Sequence, residues 1–97
     1  MAKGYWLGHT KIHDPEGYKA YQAANAKAFA KYDAKFLVRG GQQTVVEGDA
    51  MNRSVVIEFP SYADALACYE SPEYAEAKAL RDGISDIDLV IVEGYEG

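Results

Sequence analysis

The stretch VIEFPSYADALACYESPEY, residues 56–74, contains the end of a strand and the starts of two helices. Branched and aromatic residues lead up to Pro60, which ends the strand because proline has no backbone N–H to donate to a sheet. Ser61 stands three residues before an aspartate, an arrangement close to the capping box of a helix N-terminus. Ser71, followed by proline, is a second helix start. We therefore predict a helix that kinks or breaks near Ser71 and restarts through about Gly83.

Upstream of this strand-to-helix corner at Pro60 and Ser61, the pattern predicts two paired strands. Arg53 to Phe59 forms the strand that ends at the corner, and Lys35 to Glu47 forms its partner across a hairpin loop at Gly48 to Asn52. Gly40 and Gly41 interrupt the partner strand, which indicates a bulge or a sharp bend there.

The two ends of the chain complete the arrangement. Gly4 to Ile12 is strand-like, and Asp14 followed by Pro15 begins an amphipathic helix of about five turns. Residues 87–95, IDLVIVEGY, form a last strand. The order β-α-β-β-α-β predicts an α+β, ferredoxin-like fold: a four-stranded antiparallel sheet with two helices on one face, in a single domain covering residues 1–97.

The strands are apolar on both faces, although two helices can cover only one of them. The last strand alternates Ile87, Leu89 and Ile91 with Val90 and Val92. In the third strand, Val56 lies on the face opposite to its neighbours Val55 and Ile57. In the first strand, Tyr5 and Leu7 lie on one face and Trp6 and Ile12 on the other. An exposed apolar face of this size exceeds what monomers tolerate. We therefore expect a homodimer in which sheet packs on sheet.

Composition disfavours several classes of partner. The net charge is −5 and no cluster of Lys and Arg occurs, which disfavours nucleic acid and acidic membranes. Cys68 is the only cysteine, so no disulfide can form within the chain. Neither a signal peptide nor an apolar run of membrane-spanning length is visible. We therefore expect a soluble, cytoplasmic protein. No Cys/His/Asp spacing resembles a metal or haem site and no phosphate-binding loop occurs, so we expect neither metal nor bound cofactor.

Several motifs together resemble a known family. They are GYW at 4–6, DPEGY at 14–18, FLVRGG at 36–41, VVEGD at 45–49, RSVVIEFPS at 53–61 and YESPEY at 69–74, followed by Arg81. In this order they resemble the bacterial domain-of-unknown-function family DUF1330, of the dimeric α+β barrel superfamily. The resemblance implies subunits that pair through their sheets. Relatives in the superfamily include cofactor-free monooxygenases and muconolactone-type isomerases, but the family itself has no agreed reaction.

The chain departs from the family pattern at one position. The family commonly has tryptophan or another large aromatic residue before the tyrosine of its Y-x-S motif, where this chain has Cys68. If this position lines a cavity, the resemblance implies that the cavity is larger or differently shaped here.

Two arginines are candidates to hold an anion in a pocket between the helices and the sheet. Arg39 and Arg81 could bind a carboxylate or stabilise an enolate, because guanidinium presents a fixed fork of donors. Alternatively, each pairs with a local acid such as Glu47 or Glu58 and has a structural role.

The remaining candidates are polar or aromatic residues expected near the same space. His9 is the candidate general base, since it is the histidine within the first strand, although it could be a satisfied core or rim residue. Tyr69 and Tyr74 could bind an aromatic substrate or could fill the core. Ser71 is either a substrate contact or only a helix cap, and Asn25 either touches a ligand or bonds the sheet rim.

These residues predict a pocket for a small aromatic or anionic metabolite, and the resemblance implies a cofactor-free enzyme, isomerase- or monooxygenase-like, that acts on it. The alternative is a non-catalytic ligand-binding or structural homodimer. The size of the cavity discriminates between them, because an enzyme of this type needs a pocket of a few hundred Å³ with convergent polar groups.

Overall fold

The computed structural model describes residues 2–96. Its elements follow in the order β1 (Gly4–Ile12), α1 (Pro15–Lys31), β2 (Lys35–Arg39), β3 (Arg53–Phe59), α2 (Tyr62–Glu70), α3 (Pro72–Arg81) and β4 (Ser85–Glu93). The four strands form one antiparallel sheet with the order β2-β3-β1-β4. This is the predicted ferredoxin-like fold, with the second helix divided into α2 and α3.

The helices cover one face of the sheet, which we call the helix-side face. Trp6 lies at the centre of the core: it is 2% exposed and its ring contacts those of Phe29, Phe59, Tyr69 and Tyr74 at centroid distances of 5.0–5.8 Å. Its indole Nε1 donates a hydrogen bond of 2.9 Å to the backbone oxygen of Ala65 on α2. This side chain therefore joins the sheet to all three helices.

The corner after β3 has the predicted form. Ser61 Oγ accepts a hydrogen bond from the backbone N–H of Asp64 at 3.1 Å, which caps α2. The backbone of Ser61 passes so close to β1 that a Cβ on Gly4 would lie 2.5 Å from the Ser61 oxygen, so only glycine fits there. Ser71 then separates α2 from α3, and its Oγ accepts from the backbone N–H of Tyr74 at 3.1 Å.

The predicted extent of β2 is wrong. The strand ends at Arg39, because Gly40 has a φ of +68° and turns the chain out of the sheet. Residues 41–52 form an irregular connection rather than the predicted continuation of the strand and short hairpin loop. Within this connection, the side chain of Gln43 donates to the backbone oxygen of Met51 at 3.1 Å and accepts from Ser54 at 2.6 Å. These bonds hold the connection against the start of β3.

The face of the sheet away from the helices, which we call the open face, carries an apolar row across all four strands. The row consists of Val38, Val56, Leu7 and Val90, which are cross-strand neighbours. Val90 is 56% exposed and Val38 and Leu7 are also exposed. The predicted two-sided apolar character of the strands is therefore present in the structure.

None of the helices within residues 2–96 is both long and apolar enough to cross a membrane.

Candidate functional site

A pocket lies between α1 and the helix-side face of the sheet. Its sheet wall consists of three cross-strand rows: the first is Arg39, Val55, Gly8 and Leu89, the second is Arg53, Thr10 and Ile87, and the third is Phe36, Ile57 and Trp6. Its lining residues on the helices are Tyr18, Tyr21, Gln22, Asn25, Phe29 and Tyr74. Gly8 lies at the centre of the first row and has no side chain, which leaves space above β1.

The pocket has a buried floor and a more exposed rim. Tyr21, Asn25 and Tyr74 are buried at the floor, whereas Arg39 is exposed and Arg53 is half-buried. The enclosed volume is about 40 Å³, enough for a few water molecules, and the space is continuous with solvent beyond the rim. This enclosed part falls short of the few hundred Å³ expected for an enzyme pocket.

A bulge in β2 brings Arg39 into the pocket. The register of β2 against β3 shifts between Phe36 and Val38, with Leu37 as the extra residue. Without the shift, strict alternation from Phe36 would turn Arg39 to the open face. With it, Arg39 lies on the helix side, its guanidinium 4.1 Å from the centre of the Phe36 ring.

The second predicted arginine, Arg81, reaches the floor through a tyrosine. Its Nη2 donates to the Tyr74 hydroxyl at 3.4 Å, and the Tyr74 and Tyr21 hydroxyls are hydrogen-bonded at 2.7 Å. Burial, followed by the neighbouring Tyr21, raises the pKa of the Tyr74 phenol, so this group stays protonated in ordinary buffers. Arg81 is itself buried, and its Nε has no hydrogen-bond partner among residues 2–96.

The charge of the pocket is opposite to that of the chain. No residue among its described lining is Asp or Glu, although the chain carries a net charge of −5. The ion pairs within residues 2–96 involve none of Arg39, Arg53 and Arg81, so the alternative in which Arg39 and Arg81 each pair with an acid such as Glu47 or Glu58 is not seen there. Glu58 instead bonds Lys3 and Tyr5 on the open face.

His9 does not lie in this pocket. It is on the open face of β1, where its Nδ1 is 3.0 Å from Ser54 Oγ. Ser54 donates its own hydrogen to Gln43, so the His9 Nδ1–H is the donor to Ser54. The expectation that placed this candidate base in one pocket with the two arginines is therefore wrong about its location, because the side-chain alternation of β1 turns positions 9 and 8 to opposite faces.

Of the other predicted residues, some line the pocket and some do not. Asn25 and Tyr74 line the pocket, but Tyr69 and Ser71 are not among its lining residues. Tyr69 packs on Trp6 and Tyr74, and Ser71 is a buried helix cap whose Oγ also donates to the Cys68 backbone oxygen at 2.7 Å.

Cys68 packs between the helices and not in the pocket lining. Its Sγ is 3.8 Å from the Ala28 backbone oxygen, and burial raises the pKa of the thiol to about 12. Such a thiol is unreactive near neutral pH. The departure from the family pattern at this position therefore affects how α2 packs on α1.

Sequence reasoning considered the tyrosines of the first helix, Tyr21 among them, but did not identify Arg53 as a contributor to the pocket. The alternation of β3 could have found Arg53, since positions 53, 55 and 57 share the helix-side face. Tyr21 stands on the apolar stripe of α1, one turn before Asn25, but only the folded structure shows which tyrosine of that stripe meets Tyr74.

A second depression of about 360 Å³ lies between Lys11, Asp49, Met51, Asn52 and Asp86. It is larger and more open, and none of these five residues is aromatic, so we assign the candidate site to the aromatic pocket. Residues 2–96 contain no group of three or more His, Cys, Asp or Glu side chains arranged to hold a metal ion.

Residues 3–95 match the family described as domain of unknown function (DUF1330). The chain belongs to this family. The match covers both walls of the pocket, so its arginines and tyrosines lie within the DUF1330 domain. None of the curated proteins matches the chain in sequence.

Solved structures similar to this DUF1330 chain share its fold. A protein of unknown function from Rhodopseudomonas palustris is 19% identical with a TM-score of 0.78, over 99% of this chain and 85% of that one. A cofactor-independent oxygenase from Streptomyces nogalater is 12% identical with a TM-score of 0.64, over 100% and 97%. A dimeric ferredoxin-like protein of unknown function from Thermobifida fusca is 15% identical with a TM-score of 0.63, over 95% and 91%. At these identities the likeness concerns the fold.

Proposed function

We propose that this DUF1330 protein binds a small aromatic anion in the pocket between α1 and the sheet, and that it acts on this anion without a metal or a bound cofactor. The observation that carries the proposal is a pocket with aromatic walls, two arginines at its rim and no carboxylate in its described lining. Guanidinium groups bind carboxylates through paired, charge-assisted hydrogen bonds. The aromatic side chains provide flat apolar surfaces for a ring.

The lining also limits the chemistry. Its described residues include no His, Asp or Glu, so they offer no ordinary general base. This disfavours an isomerisation begun by His9 and leaves a monooxygenase-like reaction, with dioxygen as the oxidant, as the reaction class that we propose. The fold shared with the cofactor-independent oxygenase of Streptomyces nogalater supports this class.

The assembly that we propose is a homodimer with the open faces of two sheets in contact. The row of Val38, Val56, Leu7 and Val90 is the contact surface, and His9 would lie beside it. The Thermobifida fusca protein of the same fold is described as dimeric, which supports pairing.

A non-catalytic dimer is the second candidate function, and the small enclosed volume favours it. About 40 Å³ holds no aromatic ring unless rim side chains such as Arg39 and Gln22 move outward. Under this alternative the pocket is a packing gap, and no anion binds there.

Calorimetric titration with benzoate and with benzamide, its neutral analogue, tests the proposed function. We expect benzoate to bind and benzamide to bind at least about ten times more weakly, because only the carboxylate makes charge-assisted bonds to the arginines. Arg39→Gln should weaken benzoate binding about five- to tenfold and leave benzamide unchanged.

Lys27→Gln is the matched control, because it removes one positive charge from the exposed side of α1. It should leave both affinities unchanged. Equal affinities for benzoate and benzamide, or an equal effect of the two variants, would contradict the proposal.

A further inference from the structure

The two tyrosines at the pocket floor share one hydrogen bond but carry two hydroxyl hydrogens. The Tyr21 and Tyr74 oxygens are 2.7 Å apart, so one hydrogen lies between them and the other has to point elsewhere. Arg81 donates to the Tyr74 oxygen at 3.4 Å. Either hydroxyl could donate in this pair, and Arg81 also lies 5.5 Å from the centre of the Tyr21 ring. Because the Arg81 hydrogen bond goes to the Tyr74 oxygen, it favours Tyr74 as the donor to Tyr21, and in that arrangement the Tyr21 hydrogen is available to the pocket, which Tyr21 lines.

A free acceptor lies one helical turn away from this free donor. Asn25 is on the same face of α1 as Tyr21, because residues four apart are neighbours on a helix. Its Oδ1 is buried and has no hydrogen-bond partner within residues 2–96. An unpaired buried acceptor is costly, so a group that donates to it would be stabilising.

Only some chemical groups satisfy both positions together. A carboxylate accepts from Tyr21 but has no hydrogen for Asn25, and an ammonium group donates to Asn25 but cannot accept from Tyr21. A hydroxyl group does both. The arginines at the rim are therefore suited to the anionic end of a ligand, and the floor is suited to a hydroxyl.

From this arrangement we infer that the ligand is a hydroxylated aromatic carboxylate whose hydroxyl bonds Tyr21 and Asn25 while its carboxylate bonds the rim arginines. This inference rests on the proposed function and specifies its substrate class. Tyr21 and Asn25 touch the ligand, whereas Tyr74 and Arg81 are positioning residues that direct the Tyr21 hydrogen.

Calorimetric titration with benzoate, 3-hydroxybenzoate and 4-hydroxybenzoate tests the inference. We expect at least one hydroxybenzoate to bind about tenfold more tightly than benzoate, which is the effect of one well-placed hydrogen-bonding group. In Tyr21→Phe the ratio of hydroxybenzoate affinity to benzoate affinity should fall to about one, while the affinity for benzoate itself stays within about twofold of its value in the unmodified chain. A general loss of pocket structure would instead weaken all three acids together.

Tyr69→Phe is the matched control, since Tyr69 packs on Tyr74 but its hydroxyl does not line the pocket. It should keep the full ratio. If Tyr21→Phe does not fold, Asn25→Leu removes the acceptor instead and should likewise reduce the ratio to about one.

The outcomes separate the two levels of the proposal. Equal binding of benzoate and both hydroxybenzoates, or an unchanged ratio in the folded variant, would overturn the inference and leave the anion pocket in place. No binding of any of the three acids would overturn the inference and the proposed function together.

Discussion

The variant Val90→Lys is expected to be a monomer at micromolar concentration, where the unmodified chain is expected to be a dimer. Val90 stands at the end of the apolar row on the open face and is paired in register with Leu7 on the adjacent strand. A lysine there would place two charges, one from each subunit, in an apolar contact, and unpaired buried charges cost several kcal/mol. Light scattering coupled to size-exclusion chromatography measures the mass directly.

Leu80→Lys provides the control for this prediction. Leu80 is an exposed apolar residue on α3, in the helix layer on the other side of the sheet. The control variant introduces the same charge and should remain a dimer. If the unmodified chain is a monomer, or if both variants keep the dimer mass, the open face is not the contact between subunits.

The variant Trp6→Ala is expected to lose most of the stability of the fold. Truncation of a buried tryptophan costs about 3–5 kcal/mol through lost contacts and the cavity that is left. A domain of this size has a total free energy of unfolding of roughly 5–15 kcal/mol. We expect the loss of stability in Trp6→Ala to lie near the upper end of the range for truncation of a tryptophan. The reason is that Trp6 contacts four aromatic rings and donates a hydrogen bond to the Ala65 backbone on α2.

Urea denaturation followed by circular dichroism, at one fixed protein concentration, measures this loss. Trp6→Phe should lose less, since it keeps a ring in the core. Tyr95→Ala is the control, because Tyr95 is 96% exposed and its truncation should change stability by less than about 0.5 kcal/mol. A Trp6→Ala midpoint close to that of the unmodified chain would show that the core does not depend on this residue.

The fold could be predicted because its boundaries are marked by local chemistry. Asp14, Ser61 and Ser71 all cap helices as expected, since each cap needs only a side-chain oxygen beside free backbone N–H groups. The end of β2 was harder. Branched residues after Gly41 indicated more strand, but the turn at Gly40 carries Val46 away from the sheet, where it is largely exposed.

The site could be predicted only in part, because it depends on which face of the sheet each residue occupies. Alternation places residues 8 and 9 on opposite faces of the sheet, but sequence alone does not say which face meets the helices. The position of Arg39 depends on the bulge at Leu37, which is one residue long and carries no glycine. The contact between Tyr21 and Tyr74 joins residues 53 positions apart and depends on how α1 and α3 pack.

Nuclear magnetic resonance with added benzoate tests directly whether an anion binds on the helix side of the sheet. We expect saturable shifts of the Asn25 side-chain amide and the Arg39 Nε–H, and no shift at Val90 on the open face. We also expect Gly8→Val to abolish these shifts in a folded protein, because a side chain at Gly8 would occupy the pocket. Saturable shifts that cluster around His9 and Ser54, or shifts that persist in Gly8→Val, would show that the anion does not bind in this pocket.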